Sequence, residues 1–409
     1  MPMNANQACA TENAFMDKTG APATRGWAAV FAMALCSATL VASEFMPVSL
    51  LTPIAGDLHM SEGNAGQAIA VSGLFAVITS LSVSTATRGI DRRVVLLSLT
   101  VLMMVSGLMV ALAPNALVFM AGRALVGVVI GGFWSMSAAT AMRLVPEAQV
   151  PQALGLLNGG NALATTVAAP LGSFLGQYIG WRGAFFCVVP LAAVTLAWLF
   201  ASLPAMPSAR GTAQGGTVFR VLRRRTVPLG MLGSSLFFLG QFAVFTYLRP
   251  FLETVTQVGV TTLSLILLVM GGSGLLGTYL IGLLLKARLY SILIATPVAM
   301  AAIGIATMAF GASPFAVTVL LACWGLVGTA APVAWWTWVS RVLPDDAEAG
   351  GGLFVAVVQM AIALGATLGG VAYDGGGYRS TFEFGALAFG AATVVTVLAW
   401  RQGNRTVAA

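Results

Sequence analysis

The stretch 27–54, WAAVFAMALCSATLVASEFMPVSLLTPI, decides the class of this chain. As a helix rising about 1.5 Å per residue it is long enough to cross a hydrocarbon core of about 30 Å with some tilt. It carries a single charge, Glu44. Of the thirteen acidic residues in the chain, Glu44 alone falls well inside an apolar stretch; the others sit in tails, loops or span ends. A carboxylate at that depth costs roughly 2.5–3.5 kcal/mol to insert, so it is expected to face a protein or water-lined interior and to have work there.

Working outward, hydrophobic residues make up 58% of the 409 and charged residues 8%, against about 25% charged in a soluble domain. Mean hydropathy is +0.91. The chain is therefore an integral membrane protein. Its formal charge of +7 is spread over short loops, which membrane topology explains better than nucleic-acid binding. Cys9, Cys36, Cys187 and Cys323 are far apart with no CxxC pair and read as small apolar residues. The single histidine, His59, lies in a short loop beside Asp57 and Glu62 and supports no metal cluster. No cofactor is implied.

Apolar runs give twelve candidate spans, near 27–54, 64–86, 94–113, 116–142, 153–179, 183–203, 227–249, 261–285, 289–311, 314–341, 350–372 and 380–400. The expected fold is an all-α membrane protein of twelve transmembrane helices in two six-helix, pseudo-symmetric halves. Its parts are a tail 1–26, a first half 27–203, a basic linker 204–226, a second half 227–400 and a tail 401–409. Sixteen of the twenty Lys and Arg fall on the face that carries both termini. Arg182, Arg249 and Arg379 fall on the other, and Arg123 lies within the fourth span. That bias places the termini in the cytoplasm and the linker bases against anionic headgroups.

The halves echo each other. Gly180-Trp181-Arg182 with Phe185 matches Gly377-Tyr378-Arg379 with Phe382 at an offset of 197, which also superposes Gly172 on Gly369 and Gly155 on Gly352. Gly127 and Trp134 match Gly328 and Trp335 at an offset of 201. Two weakly similar halves are the sequence mark of a transporter with parallel repeats, whose substrate path lies between the halves near the midplane.

Three local patterns then resemble the major facilitator superfamily, in its bacterial drug/proton antiporter branch. Arg88-Gly89-Ile90-Asp91-Arg92-Arg93 is similar to that superfamily's gating loop, with Ser84 where a Gly and Arg88 where an Asp is expected. Gly122-Arg123-Ala124-Leu125-Val126-Gly127 resembles the fourth-span motif of proton-coupled members. Ala168-Ala169-Pro170-Leu171-Gly172 resembles the antiporter motif of the fifth span. Within the branch, the stretches 44–53 (EFMPVSLLTP), 131–146 (GGFWSMSAATAMRLVP), 168–176 and 240–250 (GQFAVFTYLRP) look like the purine ribonucleoside exporters of enteric bacteria.

The resemblance implies export of purine nucleosides and toxic purine analogues against protons, by a monomer in the bacterial inner membrane. Proton coupling is expected at Glu44 with Arg123. Burial disfavours the charged carboxylate and a neighbouring guanidinium favours it, opposing effects that suit proton exchange. Gating is expected at Asp91, Arg92, Arg93, Pro170 and Gly172. Ribose hydroxyls and purine edges want amides and a phenol, and the base wants an aromatic face. Trp134, Asn158, Asn161, Gln241, Tyr247, Trp335, Trp336 and Gln359 are the candidates, while Arg249 is expected to be a boundary anchor. The alternatives are a drug or sugar antiporter of the same branch, a membrane enzyme, which would need clustered His, Asp, Glu or Cys at membrane depth, and a transport-fold receptor.

Overall fold

The computed structural model describes residues 23–207, 222, 226–343 and 347–408. Most of the expected tail 1–26 and most of the basic linker lie outside the described residues. The chain forms α1 (Ala23–Asp57), α2 (Glu62–Ala86), α3 (Arg92–Ala111), α4 (Ala116–Leu144), α5 (Val150–Phe186) and α6 (Val188–Ser202). After the linker come α7 (Thr226–Thr246), α8 (Leu248–Thr254), α9 (Val260–Ala309), α10 (Pro314–Gly328), α11 (Ala331–Val342) and α12 (Ala347–Ala408). Residues 401–408, expected as a tail, continue α12.

Local chemistry sets the ends. The Asn115 side chain accepts from Val118 N at 3.0 Å and starts α4, and Ser313 accepts from Ala316 N at 3.4 Å and starts α10. Pro250 has no N–H for the Thr246 carbonyl, and the helix breaks at Tyr247 between α7 and α8.

Ten stretches among the described residues are long and apolar enough to cross a membrane. Two of them, Gln152–Ser202 and Gly350–Gln402, run to 51 and 53 residues, roughly twice what one crossing needs. Each turns at a glycine with left-handed backbone, Gly180 at φ +72° and Gly377 at φ +68°, where a Cβ would be strained. Counting each as two crossings restores the expected twelve. The repeat visible in the sequence is thus a repeated corner: the Arg182 guanidinium lies 4.3 Å from the Trp181 ring centroid and the Arg379 guanidinium 6.0 Å from that of Tyr378.

In the first half α1 packs on α5 and α2 on α4; in the second, α12 packs on α7 and α9 on α10. The first half has an apolar core of its own, and the core of the second half runs across the seam to Val48, Ile69, Ala70 and Ala169. The halves meet where α2 lies on α12 and α5 on α9. Polar ties between them gather at the end of the bundle opposite the termini, the far end. There Ser61 Oγ donates to Asp374 Oδ2 at 2.6 Å, Gly63 N to Asp374 Oδ1 at 3.0 Å and Thr367 Oγ1 to Gln67 Oε1 at 3.0 Å.

Candidate functional site: a cavity between the halves

Toward the termini the halves part around a cavity of about 280 Å³. The first half lines it with Glu44 from α1, Trp134 from α4 and Asn158 and Asn161 from α5; the second with Gln241 from α7, Trp336 from α11 and Gln359 from α12. Among the described residues Glu44 is the one titratable side chain in the lining.

Glu44 is 4% exposed and Arg123 1%, but their carboxylate and guanidinium form no ion pair. Four of the five N–H donors of Arg123 go elsewhere: Nη1 to Ser43 O at 2.7 Å, Nη2 to Glu44 O at 2.8 Å and Ser72 Oγ at 3.3 Å, and Nε to Ala68 O at 3.2 Å. The reason is in α1 itself. Pro47 has no N–H, so the Ser43 carbonyl four residues back has no helical partner, and a buried carbonyl must find a donor. Arg123 supplies it. Pro53 frees the Ser49 carbonyl in the same way, and Arg249 Nη1 of the second half takes that one while its Nε donates to Glu253 Oε1 at 2.8 Å. Arg249 is therefore a buried tie between the halves, 6% exposed, and not the boundary anchor expected of it. The Glu44 carboxylate looks the other way: its Oε1 accepts from Gln359 Nε2 of the second half at 3.3 Å.

The antiporter-like motif is the seam of α5 against α1. Pro170 is buried, and a Cβ on Gly172 would lie 2.6 Å from Ser49 Oγ and 3.2 Å from Met46 Cγ, so a larger residue would have to displace these side chains. The gating-like loop is fastened to its own half and to the start of the linker. Asp91 caps α3, accepting from Arg93 N at 2.8 Å and from Met206 N at 2.9 Å. Arg92 N donates to Met206 O at 3.2 Å, and Arg93 Nη2 to Phe200 O at 2.7 Å.

Six of the eight substrate candidates line the cavity. Tyr247 and Trp335 do not, and the reading is corrected for both. Tyr247 is 1% exposed at the far-end seam, its hydroxyl placed between Ala366 O at 2.8 Å and Gly63 O at 3.3 Å. Trp335 is 2% exposed in the core of the second half, edge-on to Trp338 at 5.9 Å; its neighbour Trp336, about 100° around the helix, is 45% exposed in the cavity wall. Sequence reading also passed over Phe45, Phe242, Phe245 and Trp324, which line the cavity. Phe45 and Phe242 stack with centroids 5.6 Å apart. The repeat held the signal: the offset of 197 relates Phe45 to Phe242, and the offset of 201 relates Arg123 to Trp324.

A central cavity shared by two six-crossing halves, one buried carboxylate in its wall and a first helix with two internal prolines agree with the sequence itself, of which residues 31–351 match the Major Facilitator Superfamily. This chain belongs to the major facilitator superfamily. This superfamily member is 58% identical over 379 residues to the Pseudomonas aeruginosa protein called transcription regulatory protein OpdE, covering 92% of this chain and 94% of that one. It is 40% identical over 354 residues to the purine ribonucleoside efflux pump NepI of Escherichia coli K12, covering 87% and 89%. The fold is shared with the crystal structure of the nucleoside transporter NupG, at a TM-score of 0.74 and 13% identity over 92% of this chain and 99% of that one. It is shared also with an inward-facing bacterial homologue of the lysosomal transporter Spinster, at 0.66 and 15% over 92% and 95%.

Proposed function

We propose that this major facilitator protein exports purine ribonucleosides such as inosine, guanosine and adenosine, and toxic purine analogues, in exchange for protons by alternating access. The observation that carries the reading is the cavity wall. It offers four amide side chains, Asn158, Asn161, Gln241 and Gln359, and aromatic faces from both halves, with no cation among its described residues. Such a wall suits a neutral, flat, hydroxyl-bearing solute and discriminates against phosphorylated ones, which would want Arg or Lys. The 40% identical relative is named for purine ribonucleoside efflux, which supports the same substrate class.

Glu44 is the proton carrier in this reading. With the far end tied and the cavity lying toward the termini, and with the termini in the cytoplasm, the carboxylate exchanges protons with the inner side. Loss of the proton then favours entry of cytoplasmic substrate. The protein is read as a monomer spanning the bacterial inner membrane.

Counterflow of labelled inosine in proteoliposomes, against unlabelled nucleosides, sugars and drugs, tests the substrate class. Competition by inosine and guanosine but not by arabinose-like sugars or cationic dyes is expected; the reverse pattern would establish the drug or sugar antiporter instead. The name of the 58% identical relative favours a second reading, a transport-fold receptor. Saturable inosine binding without counterflow would establish it.

A further inference from the structure

The carboxylate of Glu44 is held by neither cation near it. Around this part of α1 the charged groups on the packed elements are Arg123 on α4, spent on main-chain carbonyls and Ser72, and Arg249 on α8, spent on Ser49 O and Glu253. Among the described residues, α5, α7 and α12 line the same cavity with the neutral side chains of Asn161, Gln241 and Gln359, and α2 brings Ser72 to Arg123. The Glu44 carboxylate accepts a hydrogen bond from Gln359, and that bond crosses from one half to the other.

The main chains behind this bond are fixed on both sides. Arg123 binds the Glu44 carbonyl on α1 and Ser72 on α2. The next residue, Gly73, touches the turn of α12 that carries Gln359: a Cβ there would lie 3.0 Å from Gln359 O and 3.0 Å from Ala363 Cβ. Arg123, α2, Gln359 and Glu44 thus close a ring through both halves. Its one adjustable member is the amide–carboxylate bond, which is charge-assisted when Glu44 is ionised and loses that assistance when Glu44 is protonated.

We propose that Gln359 is the positioning residue that reports the charge on Glu44 to the second half. It rests on the reading of Glu44 as the proton carrier. With Glu44 ionised, Gln359 pins α12 to α1. Protonation, or a substrate group that takes the amide, releases it, so proton and substrate act on one inter-half bond and a coupling of roughly 5–150-fold has a physical seat.

The test reads conformation without substrate. Spin labels at Asn64→Cys and Gly375→Cys, on exposed positions flanking the far-end tie of Asp374, report separation of the halves in a cysteine-free full chain. Between roughly pH 8 and pH 5 the parent protein shifts its distance distribution, and Glu44→Gln does not. Gln359→Leu, and Gln359→Asn with a side chain one methylene too short, are expected to reduce that shift about fivefold or more. A full pH response in either variant, or none in the parent, overturns the proposal. A parent that responds to pH yet moves no inosine overturns the substrate reading and leaves this one standing.

Discussion

The two halves share a fold and divide the chemistry. At the offset of 197 Glu44 corresponds to Gln241, Phe45 to Phe242 and Pro53 to Pro250; at the offset of 201 Arg123 corresponds to Trp324. Five of the positions so paired, Glu44, Gln241, Phe45, Phe242 and Trp324, line one cavity, and the two phenylalanines stack upon each other. What differs is charge. The first half holds a carboxylate and a guanidinium where the second holds an amide and an indole. Geometry is therefore common to both halves, while the titratable side chain of the cavity wall, among the described residues, belongs to the first.

The strongest way to break that division is to swap it. Glu44→Gln combined with Gln241→Glu keeps one carboxylate in the cavity but puts it on the half where Trp324 stands at the position of Arg123 in the repeat. Proton-gradient-driven inosine transport is expected to fall to background in everted vesicles, and recovery of transport would show that either half can carry the proton. Next in size is Arg123→Leu. It strips donors from three buried carbonyls, at about 1–3 kcal/mol each where no substitute is found, and is expected to lower the thermal midpoint in detergent sharply. Trp324→Leu, its counterpart, should keep the pH dependence of transport and weaken inosine affinity by about tenfold, as loss of a stacking face implies.

A smaller effect separates the two prolines of α1. Pro53→Ala restores an N–H for Ser49 O and removes the need for Arg249, loosening the far end by about 1 kcal/mol, or roughly a fivefold shift in population, read by the far-end spin labels. Pro47→Ala restores a donor within one half and should leave that population unchanged. The last contrast tests what the halves share: Gly180→Ala and Gly377→Ala meet no neighbouring atom within 4 Å, and each should cost about 1–3 kcal/mol for its positive-φ, extended-ψ backbone, equally in both corners, in thermal unfolding.

These contrasts mark what could be read in advance. Membrane class, crossings and Glu44 were legible because apolar length and the cost of a buried charge are properties of sequence alone. The repeated corner was legible because glycine at a left-handed turn leaves a fixed signature. Partners were not. Arg123 and Glu44 look like an ion pair on paper, yet Pro47 leaves a bare carbonyl that competes for the guanidinium. Tyr247 and Arg249 look like cavity and boundary groups, but the break before Pro250 turns both into the seam. Trp335 and Trp336 are adjacent and alike in composition, and the packing of α11 against the second half decides which one enters the core and which one the cavity wall.

The most direct test is Glu44→Gln assayed two ways in the same everted vesicles, by proton-gradient-driven inosine uptake and by inosine exchange without a gradient. Gradient-driven uptake should vanish while exchange continues. Undiminished gradient-driven uptake in Glu44→Gln would contradict the assignment of proton coupling to this carboxylate.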